Sequence, residues 1–275
     1  MVDADLRVEE EVGEFKMEIT SLEKGKEKCS FLIKDVTASF ANELRRVMVE
    51  DVPVMAIEEV EFKENDSILY DEIVAHRLGL LPLTTDLKSY DTPSECSCKG
   101  ALCAKCSVKL SLKEKGPCII YASDIKSKDS AIKPAFPDMI IVNLLKDQKL
   151  EFVATAVLGT GKEHAKFSSS LVHFTYKPIL TVNNKSDLIA QFREKYPPQI
   201  FDDKGNIQKE KINTPNLVDA VDGVCEDIIK VEYKDDEFIF YIESFGQLSC
   251  KEIATKAAEI LLEKLEDFSE KIKEE

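Results

Sequence analysis

The sequence predicts an α+β protein, and three patterns carry that prediction. Leu150, Phe152, Ala154, Ala156 and Leu158 recur at every second position, the period of a strand. Phe40, Leu44, Val47 and Met48 fall at the i, i+4, i+7, i+8 spacing of one helix face. Ser249 and Glu252 stand at the capping-box spacing ahead of a long apolar stripe. With 275 residues, 44% of them hydrophobic, the chain is long enough for one large core or two smaller ones, and two domains are expected.

Taken in order, Phe15, Met17 and Ile19 alternate with polar residues, Gly25 stands in a polar turn, and Phe31 and Ile33 alternate again, the pattern of a β-hairpin. A packed helix follows over 39–49, with Ser39 available as N-cap and Pro53 ending the element. Next come a strand around 60–62, a helix near 69–78 stopped by Gly79 and Pro82, and a polar cysteine-rich stretch. Val108, Leu110 and Leu112 predict another strand ahead of the 150–158 run. The polar segment 181–215 contains Pro197–Pro198 and a short helical stretch near 188–192, and reads as a small appended module. Ile229, Val231 and Tyr233, then Lys234–Asp236, then Phe238, Phe240 and Ile242 give the pattern of a second hairpin. In the final helix Leu248 and Ile253 hold the hydrophobic-staple positions. Ala257, Ile260, Leu261, Leu265, Phe268 and Ile272 then extend an apolar stripe that no later element covers. Such a face either packs on its own sheet or docks a partner.

Charge narrows the function classes. The 52 acidic against 37 basic residues give a net charge of −15, which opposes direct binding to nucleic acid through its phosphates. No run approaches the roughly 18 apolar residues of a membrane span. Residues 1–11 are polar and acidic where a signal peptide would be basic and then apolar, so a cytoplasmic chain without membrane contact is expected. In that compartment the 8 cysteines are expected as thiols or metal ligands rather than disulfides.

Cys96, Cys98, Cys103 and Cys106 form the pattern CxC-x4-CxxC on a short glycine-containing loop. Four soft ligands so close together suit one structural Zn²⁺ in a closed tetrahedron, which leaves no open position for water. Unliganded thiols and an iron–sulfur cluster are the alternatives at this stage. Cys29, Cys118, Cys225 and Cys250 are scattered and read as small buried hydrophobes. The stretch from Gly159 to Phe167 invites comparison with a phosphate loop, but Ala154 stands where the first glycine belongs and Glu163 replaces the hydroxyl residue. Lys162, Glu163 and His164 therefore read as an exposed polar turn presented to a partner. A free-standing zinc-loop protein or metal-dependent enzyme using Glu163, His164 or the four cysteines is the competing reading. On spacing alone Arg45, Arg46, His76 and Arg77 are solvated surface groups.

Together these stretches resemble a known family. Phe40-Ala41-Asn42-Glu43-Leu44-Arg45-Arg46-Val47-Met48, with Val52-Pro53 and Ala56-Ile57, is similar to the first-helix signature of the alpha-like subunits of cellular RNA polymerases. The stretch 71–83 resembles the family's DE-x-x-AHR-x-GL-x-PL motif, and 156–166 its A-x-LG-x-GKEHAK motif, found in the archaeal D-type subunits and their eukaryotic third-subunit counterparts. The cysteine loop is similar to the zinc loop of the eukaryotic members, with one extra residue in the middle.

The resemblance implies a non-catalytic assembly scaffold for transcription, with no catalytic residues of its own. It implies a discontinuous dimerisation domain of sheet and packed helices (1–50 with 171–182 and 224–275), an inserted mainly-β domain (51–170, zinc loop 96–106) and a small third module (183–223). The implied partners are an L-like small subunit, N-like and P-like small subunits and the two large catalytic subunits. Partner contacts are expected at Ile253, Ile260, Leu261, Leu265 and Phe268, at Lys162, Glu163 and His164, and at Arg45 and Arg46. Two departures stand out. The third module has no cysteine between Cys118 and Cys225, so no iron–sulfur cluster is expected there. Phe167-Ser168-Ser169 replaces the usual Trp-Ser-Pro.

Overall fold

The computed structural model describes residues 17–274; Phe15 and the acidic stretch 1–11 lie outside them. The described chain begins with β1 (Glu18–Glu23), β2 (Lys28–Lys34), α1 (Ala38–Glu50), β3 (Val54–Asn65) and α2 (Asp71–Gly79). It continues through β4 (Ser107–Lys115), β5 (Cys118–Tyr121), β6 (Lys126–Ser127), β7 (Ile140–Leu144), β8 (Lys149–Gly159) and β9 (Ser170–Val182). It ends with α3 (Ile189–Phe192), α4 (Pro215–Val221), β10 (Ile229–Ser244) and α5 (Cys250–Glu274). One sheet has the order β1-β2-β10-β9, a second the order β3-β8-β4-β6, and β5 and β7 form a two-stranded third. The described residues form two compact units, one of 17–21, 31–38 and 174–240, the other of 22–30, 39–173 and 241–274.

In the larger unit β8 is the central strand of the second sheet. It runs antiparallel to β3, from Val54↔Gly159 to Asn65↔Leu150, and to β4, from Ser107↔Val157 to Lys115↔Lys149. The stretch Ala154–Gly159 is buried on both faces, so the alternation seen in the sequence sits on a strand that is covered on either side. Phe152 lies opposite Phe62 and Leu112 and meets the Phe62 ring edge-on at 6.0 Å. Leu78, Leu83, Leu110, Ile120 and Leu158 complete the same buried cluster. α2 lays Val74 and Leu78 on it, and Arg77 Nη1 donates to the Ile141 carbonyl at 2.6 Å, tying the helix to β7. Asp71 and Glu72 in its first turn and His76 and Arg77 in its last complement the helix dipole.

In the smaller unit the segment between β9 and β10 forms a module whose hydrophobic core is shared with both strands. Leu180, Tyr196, Ile200, Phe201, Ile207 and Val221 are buried together. Asn184 staples the module by donating to the Ile207 carbonyl at 3.0 Å and accepting from the Ile207 N–H at 2.8 Å. Gly205, at φ +84°, turns the chain between Phe201 and Ile207 while Asp202 accepts from the Lys204 and Asn206 N–H groups.

Four expectations change. The segment 229–244 is one 16-residue strand and not a hairpin. None of Lys234, Asp235 and Asp236 has the positive φ of a tight primed turn, and the strand continues with its apolar positions switching face between Tyr233 and Phe238. α1 starts at Ala38, so Ser39 lies inside the helix rather than capping it. β3 extends over twelve residues because Val54–Ile57, a continuous apolar run, is buried ahead of the alternating half. β5 and β7 escaped the sequence reading because neither short run alternates cleanly.

Candidate metal centre and docking surface

The cysteine loop is held at its stem. The Asp91 N–H donates to the Lys105 carbonyl at 2.9 Å, and Tyr90 OH donates to Asp129 Oδ2 at 2.7 Å. Burial, together with that bond, pushes the Tyr90 hydroxyl up to about 12. Two reverse turns follow. The Cys96 carbonyl accepts from Lys99 N at 3.0 Å, and the Cys103 carbonyl accepts from Cys106 N at 3.1 Å and Ser107 N at 3.0 Å. Lys99, Gly100 and Leu102 adopt φ of 53°, 85° and 50°, which folds the loop back so that the outer cysteines meet.

All four sulfurs lie within 4.8 Å of one another. Cys96 Sγ is 3.6 Å from Cys103 Sγ, Cys98 Sγ 3.5 Å from Cys106 Sγ, and Cys103 Sγ 4.0 Å from Cys106 Sγ. Four ligands at a Zn–S distance of about 2.3 Å form a tetrahedron whose edges are about 3.8 Å, so the donor set fits this ion in kind and in spacing. The separations are too long for disulfides, and all four are free thiols. The thiols are not equivalent. A backbone hydrogen bond from Cys103 lowers Cys98 to about 6, whereas burial pushes Cys106 up to about 12.

The glycine-rich turn after β8 is exposed at Lys162, Glu163 and His164, as its polar sequence predicts. Internally, Glu163 Oε2 accepts from Thr160 N at 3.1 Å and His164 Nδ1 accepts from Lys166 N at 3.1 Å. Those contacts shape the turn and form no nucleophile–base pair. Lys162 N donates to the Glu50 carbonyl at 2.9 Å, which docks the turn on the end of α1. There Arg46 pairs with Glu50 at 3.0 Å and holds that carboxyl below the usual range, while Arg45 bonds Asn42. A Cβ on Gly161 would stand 2.4 Å from the Val49 carbonyl oxygen. Gly161→Ala should therefore cost about 1–3 kcal/mol of stability through overpacking. An unchanged denaturation midpoint would contradict this packing.

Phe167 is buried against Gly159, and Lys166 reaches the Ile57 carbonyl and Glu58. Ser169 Oγ donates to the Met48 carbonyl at 2.8 Å. The aromatic ring is thus seated with Ser168 and Ser169 following it, the second of them tied to α1.

The capping box of α5 forms as expected. Ser249 N donates to Glu252 Oε2 at 2.8 Å, and Glu252 N donates back to Ser249 Oγ at 3.3 Å. The expected partner stripe then divides. Ile253 is 0% exposed within the chain's own interior, as is Ala257, so Ile253 is unavailable to a partner. Ile260 and Leu261 are half-buried. Leu262, Leu265, Phe268 and Ile272 are 58%, 58%, 64% and 59% exposed. Lys264 Nζ meets Asp51 Oδ2 at 2.7 Å, joining α5 to the end of α1 across 213 positions that carry no sequence signal of the contact. Ile73 on α2, with Ile68, Tyr70 and Leu80 on either side of that helix in the chain, are further exposed apolar residues that the sequence reading missed. Among the described residues no helix is long and apolar enough to cross a membrane.

The antiparallel sheet around β8 and the four-thiol loop lie in a stretch that matches a domain family of RNA polymerase subunits. Residues 57–183 match the family described as the RNA polymerase Rpb3/RpoA insert domain. The chain belongs to the family of DNA-directed RNA polymerase subunit Rpo3, the archaeal alpha-like subunits. It is 35% identical over 272 residues to the Rpo3 of Methanosphaera stadtmanae, covering 94% of this chain and 100% of the relative. It is also 35% identical to Rpo3 of Methanothermobacter thermautotrophicus (91% and 97% covered) and of Pyrococcus furiosus (92% and 95%). As an alpha-like polymerase subunit it is an accessory part of the enzyme and not a catalyst by itself.

Proposed function

We propose that this chain is the assembly scaffold of a cytoplasmic RNA polymerase and that its α5 face takes an L-like small subunit. The observation that carries the reading is the row Leu262, Leu265, Phe268 and Ile272 on the last turns of a capped helix, each more than half exposed. A row at this spacing is the surface that helix-on-helix docking buries. Residues 1–50, 171–182 and 224–275 would supply the dimerisation domain and 51–170 the insert. The turn at Lys162, Glu163 and His164, with Arg45 and Arg46 of α1, would face the large catalytic subunits. N-like and P-like small subunits would join the same platform. The acidic balance of −15 supports protein partners over direct contact with nucleic acid.

In this reading Cys96, Cys98, Cys103 and Cys106 hold one structural Zn²⁺ that pins the loop. None of the four belongs to the buried cluster around Phe152, so the insert core does not depend on the ion. Elemental analysis should give about one zinc per chain, lost in Cys103→Ser plus Cys106→Ser, with the β-sheet circular dichroism retained. Iron, or no metal in freshly purified protein, would overturn the assignment. The scaffold reading is tested by expressing the chain alone and with an L-like subunit, then asking whether the largest polymerase subunits co-purify. A soluble monomer that ignores the small subunit would defeat it.

A further inference from the structure

A second thiol site lies away from the cysteine loop. The Ser244 N–H donates to the Glu27 carbonyl at 2.7 Å, and Phe31 stacks on Phe240 with ring centroids 5.3 Å apart. Both contacts set the same antiparallel register between β2 and β10, which places Cys29 directly opposite Ile242. Cys250, the first residue of α5, points its thiol at the carbonyl oxygen of that same Ile242, at 3.6 Å. Its backbone N–H donates to the Lys26 carbonyl at 3.0 Å, fixing the helix start beside β2. Cys29 shares its strand face with Phe31, the face on which Ile242 and Phe240 are buried. Cys29 and Cys250 therefore lie against the same residue, Ile242, from β2 and from the start of α5.

We propose that Cys29 and Cys250 are a dithiol pair that closes to a disulfide when a low-molecular-weight disulfide oxidant is present, stapling β2 to the first turn of α5. Cys29 is part-exposed and Cys250 buried, which assigns their order of reaction. The Cys29 thiolate attacks one sulfur of the oxidant, forms a mixed disulfide and expels a thiolate that takes up the proton Cys29 lost. The Cys250 thiolate then attacks the Cys29 sulfur, expels the second thiolate and yields its proton to it. Two protein thiols become one disulfide, and one oxidant disulfide becomes two thiols. Burial, reinforced by Cys250, raises the Cys29 thiol to about 12, so its thiolate is scarce at neutral pH and the first attack is the slow step.

The test treats the folded full-length chain with oxidised glutathione, blocks the remaining thiols and digests with trypsin. The expected product is one disulfide-linked species joining Cys29–Lys34 to Asp235–Lys251, reversed by dithiothreitol. Hydrogen exchange at the first turn of α5 should slow in the oxidised form. Cys29→Ala and Cys250→Ala should each abolish the linked species while keeping the native circular dichroism spectrum. Glutathione persisting on Cys29 without transfer to Cys250 would overturn the proposal. So would both thiols staying free in the folded chain while reacting in urea.

Discussion

Leu265→Asp combined with Phe268→Asp will eliminate co-purification of the L-like subunit while leaving the fold of the isolated chain intact. The two side chains are 58% and 64% exposed, so replacing them removes little buried surface from the chain itself. At a helix-on-helix contact the same carboxylates would be desolvated without partners, at a cost of several kcal/mol each. Large apolar residues at the centre of an interface carry most of its energy, and a loss of about 4 kcal/mol already weakens binding roughly a thousandfold. Size-exclusion chromatography of the co-expressed pair reads the outcome. Undiminished elution as a heterodimer would remove α5 from the docking surface, whereas Ile253→Ala should act on folding instead, because Ile253 is buried in the chain.

Phe152→Ala should destabilise the insert sheet by about 3–5 kcal/mol. The ring is fully buried on β8, between Phe62 on β3 and Leu112 on β4, where strands on either side hold the backbone and restrict collapse into the cavity. Against a typical domain stability of about 5–15 kcal/mol this is a large fraction. The chain has no tryptophan, so urea unfolding is best followed by circular dichroism. A change below about 1 kcal/mol would mean that the surrounding side chains collapse freely into the space of the ring. The zinc-loop double variant, by contrast, should leave this transition in place, because the cysteines lie outside that core.

Local patterns were legible wherever local chemistry decides the outcome. The capping box names its own geometry, since each partner satisfies the other's backbone N–H within one turn. Four thiols on so short a loop cannot separate far, and the turn-forming Gly100 lets them converge. The β8 alternation and the α1 apolar face were equally readable, because burial imposes those periods directly. Family motifs added what spacing alone left open, turning an exposed polar turn into part of a polymerase subunit.

Other features were settled only by the tertiary structure. Lys234–Asp236 is polar enough to turn, yet it runs on within β10, where Val36 N, just beyond β2, donates to the Asp236 carbonyl at 3.3 Å. Gly161 is required by the Val49 carbonyl, and Asp51 by Lys264, contacts made between segments far apart in the chain. Cys29 and Cys250, each bland in isolation, become a pair only when β10 carries Ile242 between them. Thus the sequence by itself determined the α+β class, the four-thiol loop and the family. The fold decided which apolar residues of α5 remain outside, because burial depends on what else the chain places against each face.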